Sequence, residues 1–285
     1  MNHAQIRYLT AKRSVDRRGR SPTVRRALLE ALPPAPRIVE AGCGVGGIVP
    51  SLLSWDCGPF EYLGVDSDSR LVAFARETLP KELRYRGHEV LDTPEGGRTG
   101  GVTFAFEQGD ALDRIPDLNA ELVVAQAFMD LVPLEPALDA VTTSLAPGGL
   151  AYFPITYDGG TFFQPDHPAD RAVERAYNAA IDAREGRDAR AGRHLLERLR
   201  NRDGRLLAVD ASDWIVRPQD GTYPADERYF LGRILDFVEE AVDPATANVE
   251  RRAYTDWIET RRRQLAAGEL SYVAHQYDLL HRQPG

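Results

Sequence analysis

Residues 40–47 read Glu40-Ala41-Gly42-Cys43-Gly44-Val45-Gly46-Gly47 and follow directly on the apolar pair Ile38-Val39. The apolar pair predicts the end of a short buried strand. The glycines allow a tight turn that leads into a helix over residues 48–53. A strand, a glycine turn and a helix N-terminus together direct unpaired backbone N–H groups and the positive end of the helix dipole towards a ligand. The stretch therefore predicts an α/β fold with a ligand site at this turn.

The glycine spacing alone allows two kinds of ligand. Gly42, Gly44 and Gly47 satisfy the G-x-G-x-x-G pattern of dinucleotide-binding folds. Glu40 favours a different ligand, because a carboxylate pointing into the site would repel a pyrophosphate and suit a cationic sulfonium or ammonium group. In this respect the sequence resembles motif I of the class I S-adenosylmethionine (SAM) dependent methyltransferases, acid-x-Gly-x-Gly-x-Gly.

Later segments fall where that family would place them. A predicted strand over 61–66 ends in Asp66, and the resemblance implies that this acid accepts from the ribose hydroxyls of SAM. NAD sites use an acid in the same way, so Asp66 alone does not separate the two ligands. A strand from residue 104 leads to Asp110, implied to lie at the adenine amino group, and a strand over 121–126 ends in Gln126, implied to lie beside the methionine part. The cofactor-binding residues implied by the resemblance are Glu40, Gly42, Gly44, Gly46, Asp66, Asp110, Ala111 and Gln126.

Whole-chain composition limits the classes of function. The 285 residues are 43% hydrophobic, which is enough for the core of one elaborated domain. A net charge of −8 weighs against a nucleic-acid partner, which would need a basic surface. No apolar run reaches membrane-spanning length, the N-terminus lacks the apolar core of a signal peptide, and the two cysteines make no disulfide framework. We therefore expect a cytoplasmic protein, a monomer or homodimer, that acts on a small molecule and binds neither nucleic acid nor membrane.

The resemblance implies a doubly wound, seven-stranded, mostly parallel sheet with an antiparallel edge, plus helical insertions that cover the active site. A strand over 150–155 follows the turn at 145–149, and the last two strands are predicted over 205–216 and 271–280. Further helices are predicted over 21–32, 168–184, 191–202, 224–242 and 244–267. Residues 8–18 show too little periodicity to predict an element, and residues 87–101 predict an exposed loop or small hairpin. The expected parts are an N-terminal arm and helix that is a candidate lid (1–34), a SAM-binding Rossmann-like core (35–157), a helical insertion over the substrate site (158–204) and the C-terminal part of the sheet with helices (205–285).

Methyl transfer from SAM needs mainly alignment of a nucleophile with the methyl group, because the sulfonium is already activated. A base is needed only where the nucleophile must lose a proton. We expect residues 158–202 to cover the acceptor and set substrate choice, with the glycines at 159 and 160 as a hinge. The catalytic candidates are Asp130, Tyr157 and His167. The candidates for contact with the substrate are Lys12, Arg13, Asp158, Phe162 and Phe163, and either cation of this set would also suit the SAM carboxylate.

Missing signatures narrow the class further. The chain lacks the Pro-Pro-aromatic run of amino methyltransferases, the Pro-Cys nucleophile of cytosine C5 enzymes and the aspartate pair that holds magnesium in catechol-type enzymes. We therefore expect a metal-independent methyltransferase acting on an O, N or C atom of a small molecule, with SAM as cofactor. Two alternatives stay open: an NAD(P)-dependent oxidoreductase, and a SAM-binding interaction module without catalytic activity.

Overall fold

The computed structural model describes residues 5–285, and within them it contains ten helices and ten strands. The helices are α1 (Ile6–Gly19), α2 (Pro22–Ala31), α3 (Val49–Ser54), α4 (Ser69–Tyr85), α5 (Ala111–Arg114), α6 (Leu134–Thr143), α7 (Asp170–Asp182), α8 (Ala191–Arg200), α9 (Glu227–Ala241) and α10 (Arg251–Ala267). The strands are β1 (Arg37–Ala41), β2 (Glu61–Asp66), β3 (Leu91–Thr93), β4 (Gly96–Thr99), β5 (Val102–Gln108), β6 (Ala120–Val124), β7 (Leu145–Gln164), β8 (Arg205–Ala211), β9 (Trp214–Val216) and β10 (Ser271–Arg282).

All strands of the described residues belong to one sheet, in the order β3-β4-β5-β2-β1-β6-β7-β10-β8, with β9 paired to β10. Strands β5, β2, β1, β6 and β7 are parallel, whereas β10 runs antiparallel to β7 and β8. The predicted doubly wound, mostly parallel sheet with an antiparallel edge is therefore confirmed. Three short strands are present in addition to the seven expected ones. Strands β3 and β4 form the small hairpin that was one of the two predictions for residues 87–101. Strand β9 continues the predicted sixth strand after a break.

Helix α2 begins as the sequence predicts. The hydroxyl of Ser21 accepts hydrogen bonds from the backbone N–H groups of Thr23 and Val24, and Pro22 stands at the first helical position. Helix α1, which the sequence did not predict, precedes it and packs Tyr8 against rings of α9. The central strands β1 and β6 are buried on both faces, as parallel strands covered by helices must be.

Strand β7 extends further than the sequence indicates. It passes through Asp158-Gly159-Gly160 and continues pairing with β10 as far as Gln164. The three residues 158–160 lie opposite the single residue His275, so they form a bulge in a continuous ladder and not a hinge between separate elements. No helix in the described part of the chain combines the length and apolar character needed to cross a bilayer.

Candidate functional site

The turn after β1 brings the backbone close to its neighbours. Gly42 has a φ of 68°, and a Cβ atom there would lie 2.4 Å from the ring of Phe128. Gly46 has a φ of 69°, and its Cβ atom would lie 2.8 Å from Phe106. Both positions therefore require glycine for conformation and for space. The turn leads towards α3 at the carboxyl ends of the parallel strands, the edge where open α/β sheets bind ligands.

A cavity of about 470 Å³ lies against this turn. We name it the glycine-turn cavity and define it by the turn 42–47 together with Asp16, Asp66, Asp110 and Gln126. Glu40, Lys12, Arg13 and Ala111 also line it. All the positions implied for cofactor binding therefore contribute to one cavity except Gly46, whose role is the backbone conformation of the turn.

The charge of the Glu40 side chain differs from the one that the sequence argument assumed. Its side chain is 2% exposed, and the hydroxyl of Tyr62 donates a hydrogen bond to its Oε2 atom. Burial raises the pKa of Glu40 to about 8. In the ligand-free protein at neutral pH the side chain is therefore mostly a neutral acid, whereas the sequence argument assumed a carboxylate.

Two acids lie at the strand ends predicted for them. Asp66 Oδ2 accepts the backbone N–H of Gly44 at 2.8 Å, and its Oδ1 accepts that of Asp68 at 2.9 Å. Each carboxylate oxygen keeps a second lone pair for a ligand hydroxyl. Asp110 is exposed and caps α5, because its Oδ1 atom accepts the backbone N–H of Leu112 at 2.9 Å. Its Oδ2 atom is left for a ligand donor.

Helix α1 closes one side of the glycine-turn cavity with a charged pair. Lys12 Nζ lies 3.0 Å from Asp16 Oδ2, and Gln126 Nε2 donates to the same oxygen at 3.3 Å. Arg20 donates through Nε to Gln126 Oε1 at 2.8 Å. Asp16 Oδ1 is buried and has no hydrogen-bond partner among the described residues. Arg13, the second predicted cation, instead forms an ion pair with Glu82 at 2.7 Å.

A second cavity of about 120 Å³ adjoins the first. We name it the aromatic cavity, because its walls include Tyr8, Tyr157, Tyr177, Trp214, Phe237 and Tyr272. The two cavities share Leu9, Lys12, Ala127, Leu131 and Arg187. Ligands held in the two cavities would therefore both contact these five residues.

Asp130 belongs to the aromatic cavity and has an altered acidity. Burial raises its pKa to about 6, whereas the positive charges of Arg187 and Lys12 act in the opposite direction. A carboxyl group with this pKa is mostly ionised at neutral pH and still binds a proton readily, as a general base must. Tyr157, also a catalytic candidate, lines the same cavity, but its hydroxyl is engaged with Thr161 at 2.7 Å and Asn178 at 3.0 Å, and burial raises its pKa.

The other sequence candidates lie outside both cavities. Asp158 is 3% exposed and forms an ion pair with Arg193 at 2.7 Å. His167 Nε2 lies 3.1 Å from Asp256 Oδ2. Phe163 packs in the core, and Phe162 is 54% exposed. The structure thus separates these four residues from the cavities that the remaining candidates line.

Part of the predicted helical insertion nevertheless lines the aromatic cavity. Tyr177 and Ile181 of α7 line it, as do Arg184 and Arg187 just after that helix. Among the lining residues that the sequence reasoning missed are Asp16 in the glycine-turn cavity and Tyr8 and Gln276 in the aromatic cavity. Within residues 5–285, no group of three or more His, Cys, Asp or Glu side chains is placed to hold a metal ion.

Comparisons with known proteins support the fold. No protein-family model and no curated protein matches the chain. A candidate methyltransferase from Bacillus halodurans C-125 aligns over 93% of this chain and 100% of its own length, with 13% identity and a TM-score of 0.54. A candidate type II methyltransferase from Anaeromyxobacter dehalogenans aligns over 93% of this chain and 98% of its own, with 15% identity and a TM-score of 0.53. This chain therefore has the class I SAM-dependent methyltransferase fold that its glycine turn and later landmarks predict.

Proposed function

We propose that this protein transfers the methyl group of SAM to a small molecule held in the aromatic cavity. The observation that carries the proposal is the shared wall of the two cavities, formed by residues such as Ala127 and Leu131. A cofactor in the glycine-turn cavity and an acceptor in the aromatic cavity would then contact the same residues, which is the arrangement that direct transfer needs. Positioning of this kind supplies up to roughly 7–11 kcal/mol of a reaction barrier.

The residues of the glycine-turn cavity fit the chemical groups of SAM. The unpartnered Asp16 Oδ1 atom suits the ammonium group, and Lys12 Nζ, one helical turn away, suits the neighbouring carboxylate. Asp66 offers acceptor lone pairs to the ribose hydroxyls, and Asp110 offers one oxygen to the adenine amino group. The Asp16 carboxylate on the wall of this cavity weighs against a pyrophosphate-bearing dinucleotide, whereas Asp66 suits the ribose of either ligand.

The protein's own contribution to the chemistry is alignment and proton removal. Bound SAM supplies a methyl group already activated by its sulfonium. Asp130 accepts the proton of an O–H or N–H acceptor, and the cations Lys12 and Arg187 stabilise negative charge that develops on the nucleophile. Neither alignment nor proton removal requires a metal ion, so we propose a metal-independent transfer.

An activity assay tests this proposal. The protein is incubated with SAM carrying a labelled methyl group and a set of single-ring phenols, anilines and N-heterocycles, and S-adenosylhomocysteine and labelled product are measured. Label should appear in at least one acceptor, and Asp130→Asn should slow the transfer by about 10²–10⁴-fold. Binding of SAM without transfer to any acceptor would instead favour a non-catalytic SAM-binding module.

A further inference from the structure

Two buried polar atoms of the aromatic cavity lack hydrogen-bond partners within residues 5–285. They are the indole Nε1 of Trp214, a residue that is 8% exposed, and the amide Oε1 of Gln276, which is 1% exposed. A buried donor or acceptor left unpaired is costly to a fold, and a native protein that keeps one calls for an explanation. A ligand that supplies both partners is such an explanation, because both residues line a cavity.

The sheet places these two side chains next to each other. Strand β9 aligns Trp214 with Ala274 of β10, and Gln276 follows Ala274 by two residues. Residues two apart along a strand project from the same face of the sheet. Trp214 and Gln276 are therefore diagonal neighbours on the face that forms the cavity floor. Diagonal neighbours of a sheet lie roughly 7–8 Å apart, so one donor and one acceptor on two long side chains can reach a single hydroxyl group, which accepts from the indole and donates to the amide oxygen.

The aromatic walls of the cavity favour a flat ligand. Aromatic rings from α1, β7, α7, α9 and β10 surround the cavity, and rings of this kind bind another flat ring by stacking or edge contacts. The volume of about 120 Å³ is close to the roughly 150 Å³ of an apolar cavity known to hold benzene. The cavity therefore has room for a single ring.

The shared wall fixes where the reacting group lies. Asp130 lines the aromatic cavity and belongs to the same short segment as Ala127 and Leu131, which line both cavities. Lys12 and Arg187 also reach both. A second hydroxyl on a ring held by Trp214 and Gln276 can therefore lie beside the Asp130 carboxylate and the two cations that reach both cavities.

We propose that the acceptor is a single-ring phenol with two hydroxyl groups, one bound by Trp214 and Gln276 and the other methylated beside Asp130; this rests on the proposed methyl transfer. The oxygen beside Asp130 uses a lone pair to form the new O–C bond. The C–S bond of SAM breaks with its electron pair on sulfur, and the hydroxyl proton passes to the Asp130 carboxylate. The products are an aryl methyl ether and S-adenosylhomocysteine, and Asp130 returns its proton to solvent.

Binding of resorcinol and phenol to the protein saturated with S-adenosylhomocysteine tests this proposal, since phenol lacks the second hydroxyl. Calorimetry should show resorcinol binding about ten- to a hundredfold more tightly than phenol. Trp214→Phe keeps a ring and removes the N–H donor, and Gln276→Met keeps the length of the side chain and removes the amide. Each variant should abolish most of the resorcinol preference and leave the affinity for S-adenosylhomocysteine unchanged, which also shows that the variant is folded.

The outcomes separate the two proposals. A resorcinol preference that both folded variants lose, together with methylation of resorcinol by SAM in the unmodified protein, supports the acceptor class. Equal binding of the two phenols, or a preference that survives in a folded variant, overturns the acceptor class and leaves methyl transfer standing. Failure of S-adenosylhomocysteine to bind the unmodified protein overturns both.

Discussion

Lys12 Nζ and Asp16 Oδ2 lie 3.0 Å apart on the inner face of α1, one helical turn from each other, and both side chains are more than nine-tenths buried. Burial of an ion pair is expensive unless further polar groups complete it. Gln126 donates a hydrogen bond to the Oδ2 atom of Asp16, whereas the Oδ1 atom has no partner among the described residues. This incomplete pair on the wall of the glycine-turn cavity identifies the place where we expect the charged end of SAM.

Asp16→Asn should weaken binding of S-adenosylhomocysteine, because a charge-assisted hydrogen bond to the ammonium group becomes a neutral one. We expect a loss of about 1.5–3 kcal/mol in binding free energy. Methylthioadenosine, which lacks the amino acid part, is the matched ligand, and its affinity should not change. Calorimetry with both ligands decides the point: an equal loss for the two would mean that the substitution perturbs the cavity as a whole.

The reaction should lose rate as the pH falls through about 6. Asp130 has its pKa raised to about 6 by burial, so its proton-accepting form disappears below that value. The charged side chains that act on its pKa are Arg187, Lys12 and Asp188. The charge of Asp130 in turn contributes to raising the pKa of the neighbouring Tyr8, Tyr157 and Tyr177. The pH dependence of kcat/KM should show this acidic limb, and Asp130→Asn should remove it.

Asp188→Asn provides the control for that limb. Its carboxylate raises the pKa of Asp130, and it lies outside both the aromatic and the glycine-turn cavities. Removing the charge should move the limb to lower pH and keep the limb itself. A profile identical in the unmodified protein and in Asp130→Asn would show that another group titrates.

Glu40→Gln should stabilise the fold increasingly as the pH rises. The pKa of Glu40 is about 8 in the folded protein against 4.5 for the ordinary group, so the folded chain holds a proton that the unfolded chain releases. The free energy of unfolding that this proton provides is complete below about pH 4.5 and is lost as the pH rises through about 8. Glutamine is neutral throughout and can still accept from Tyr62.

Urea unfolding of the two proteins at pH 5, 7 and 9 measures this effect. The difference in unfolding free energy between Glu40→Gln and the unmodified protein should be small at pH 5 and grow with pH, since other groups cancel in the comparison. A difference that is constant over this range would show that Glu40 is ionised in the fold.

Phe163→Ala should lower stability strongly, whereas Phe162→Ala should leave it almost unchanged. Phe163 packs edge-on against Trp257 at 5.2 Å and lies 5.1 Å from Tyr272 between ring centroids. Its truncation should cost about 3–5 kcal/mol of unfolding free energy. Phe162 is 54% exposed, so its truncation should change stability by less than about 0.5 kcal/mol. A strong loss in Phe162→Ala would contradict the exposure of that ring.

The core of the fold could be predicted because its signals are local. The strand over 61–66 is an apolar run that ends in an acid, and the structure gives β2 the same bounds. The helix that starts at Ser21-Pro22 has its capping residue and its first helical residue next to each other in the sequence, so its start can be recognised there. Such signals depend on neighbours in sequence and are visible without the rest of the chain.

Helix α1 could not be predicted for a physical reason. Its inward positions are Tyr8, Ala11, Lys12, Val15 and Asp16, which follow a helical period, but two of these five carry charge. Apolar periodicity is lost because the helix faces a polar cavity and not only a core. A pattern that counts only apolar residues therefore does not recognise this helix, and Asp16 is missed with it.

The acceptor side of the site depends on contacts distant in sequence. Asp158-Gly159-Gly160 resembles a hinge locally, yet long-range pairing with β10 makes it a bulge. The same pairing carries Phe162 and Phe163 away from the aromatic cavity, while β9 and β10 bring Trp214 and Gln276 into it. Pairing between strands that are far apart in the sequence cannot be predicted from a local stretch of residues.

Calorimetric titration of the unmodified protein with S-adenosylhomocysteine and, separately, with NADH tests the central claim most directly. We expect saturable binding of one S-adenosylhomocysteine per chain, displaced by SAM, because Asp16 fits its ammonium group, Asp66 its ribose and the glycine turn its backbone-facing groups. NADH should not bind at the same concentrations, since its pyrophosphate would face the Asp16 carboxylate. Binding of NADH without binding of S-adenosylhomocysteine would contradict the account.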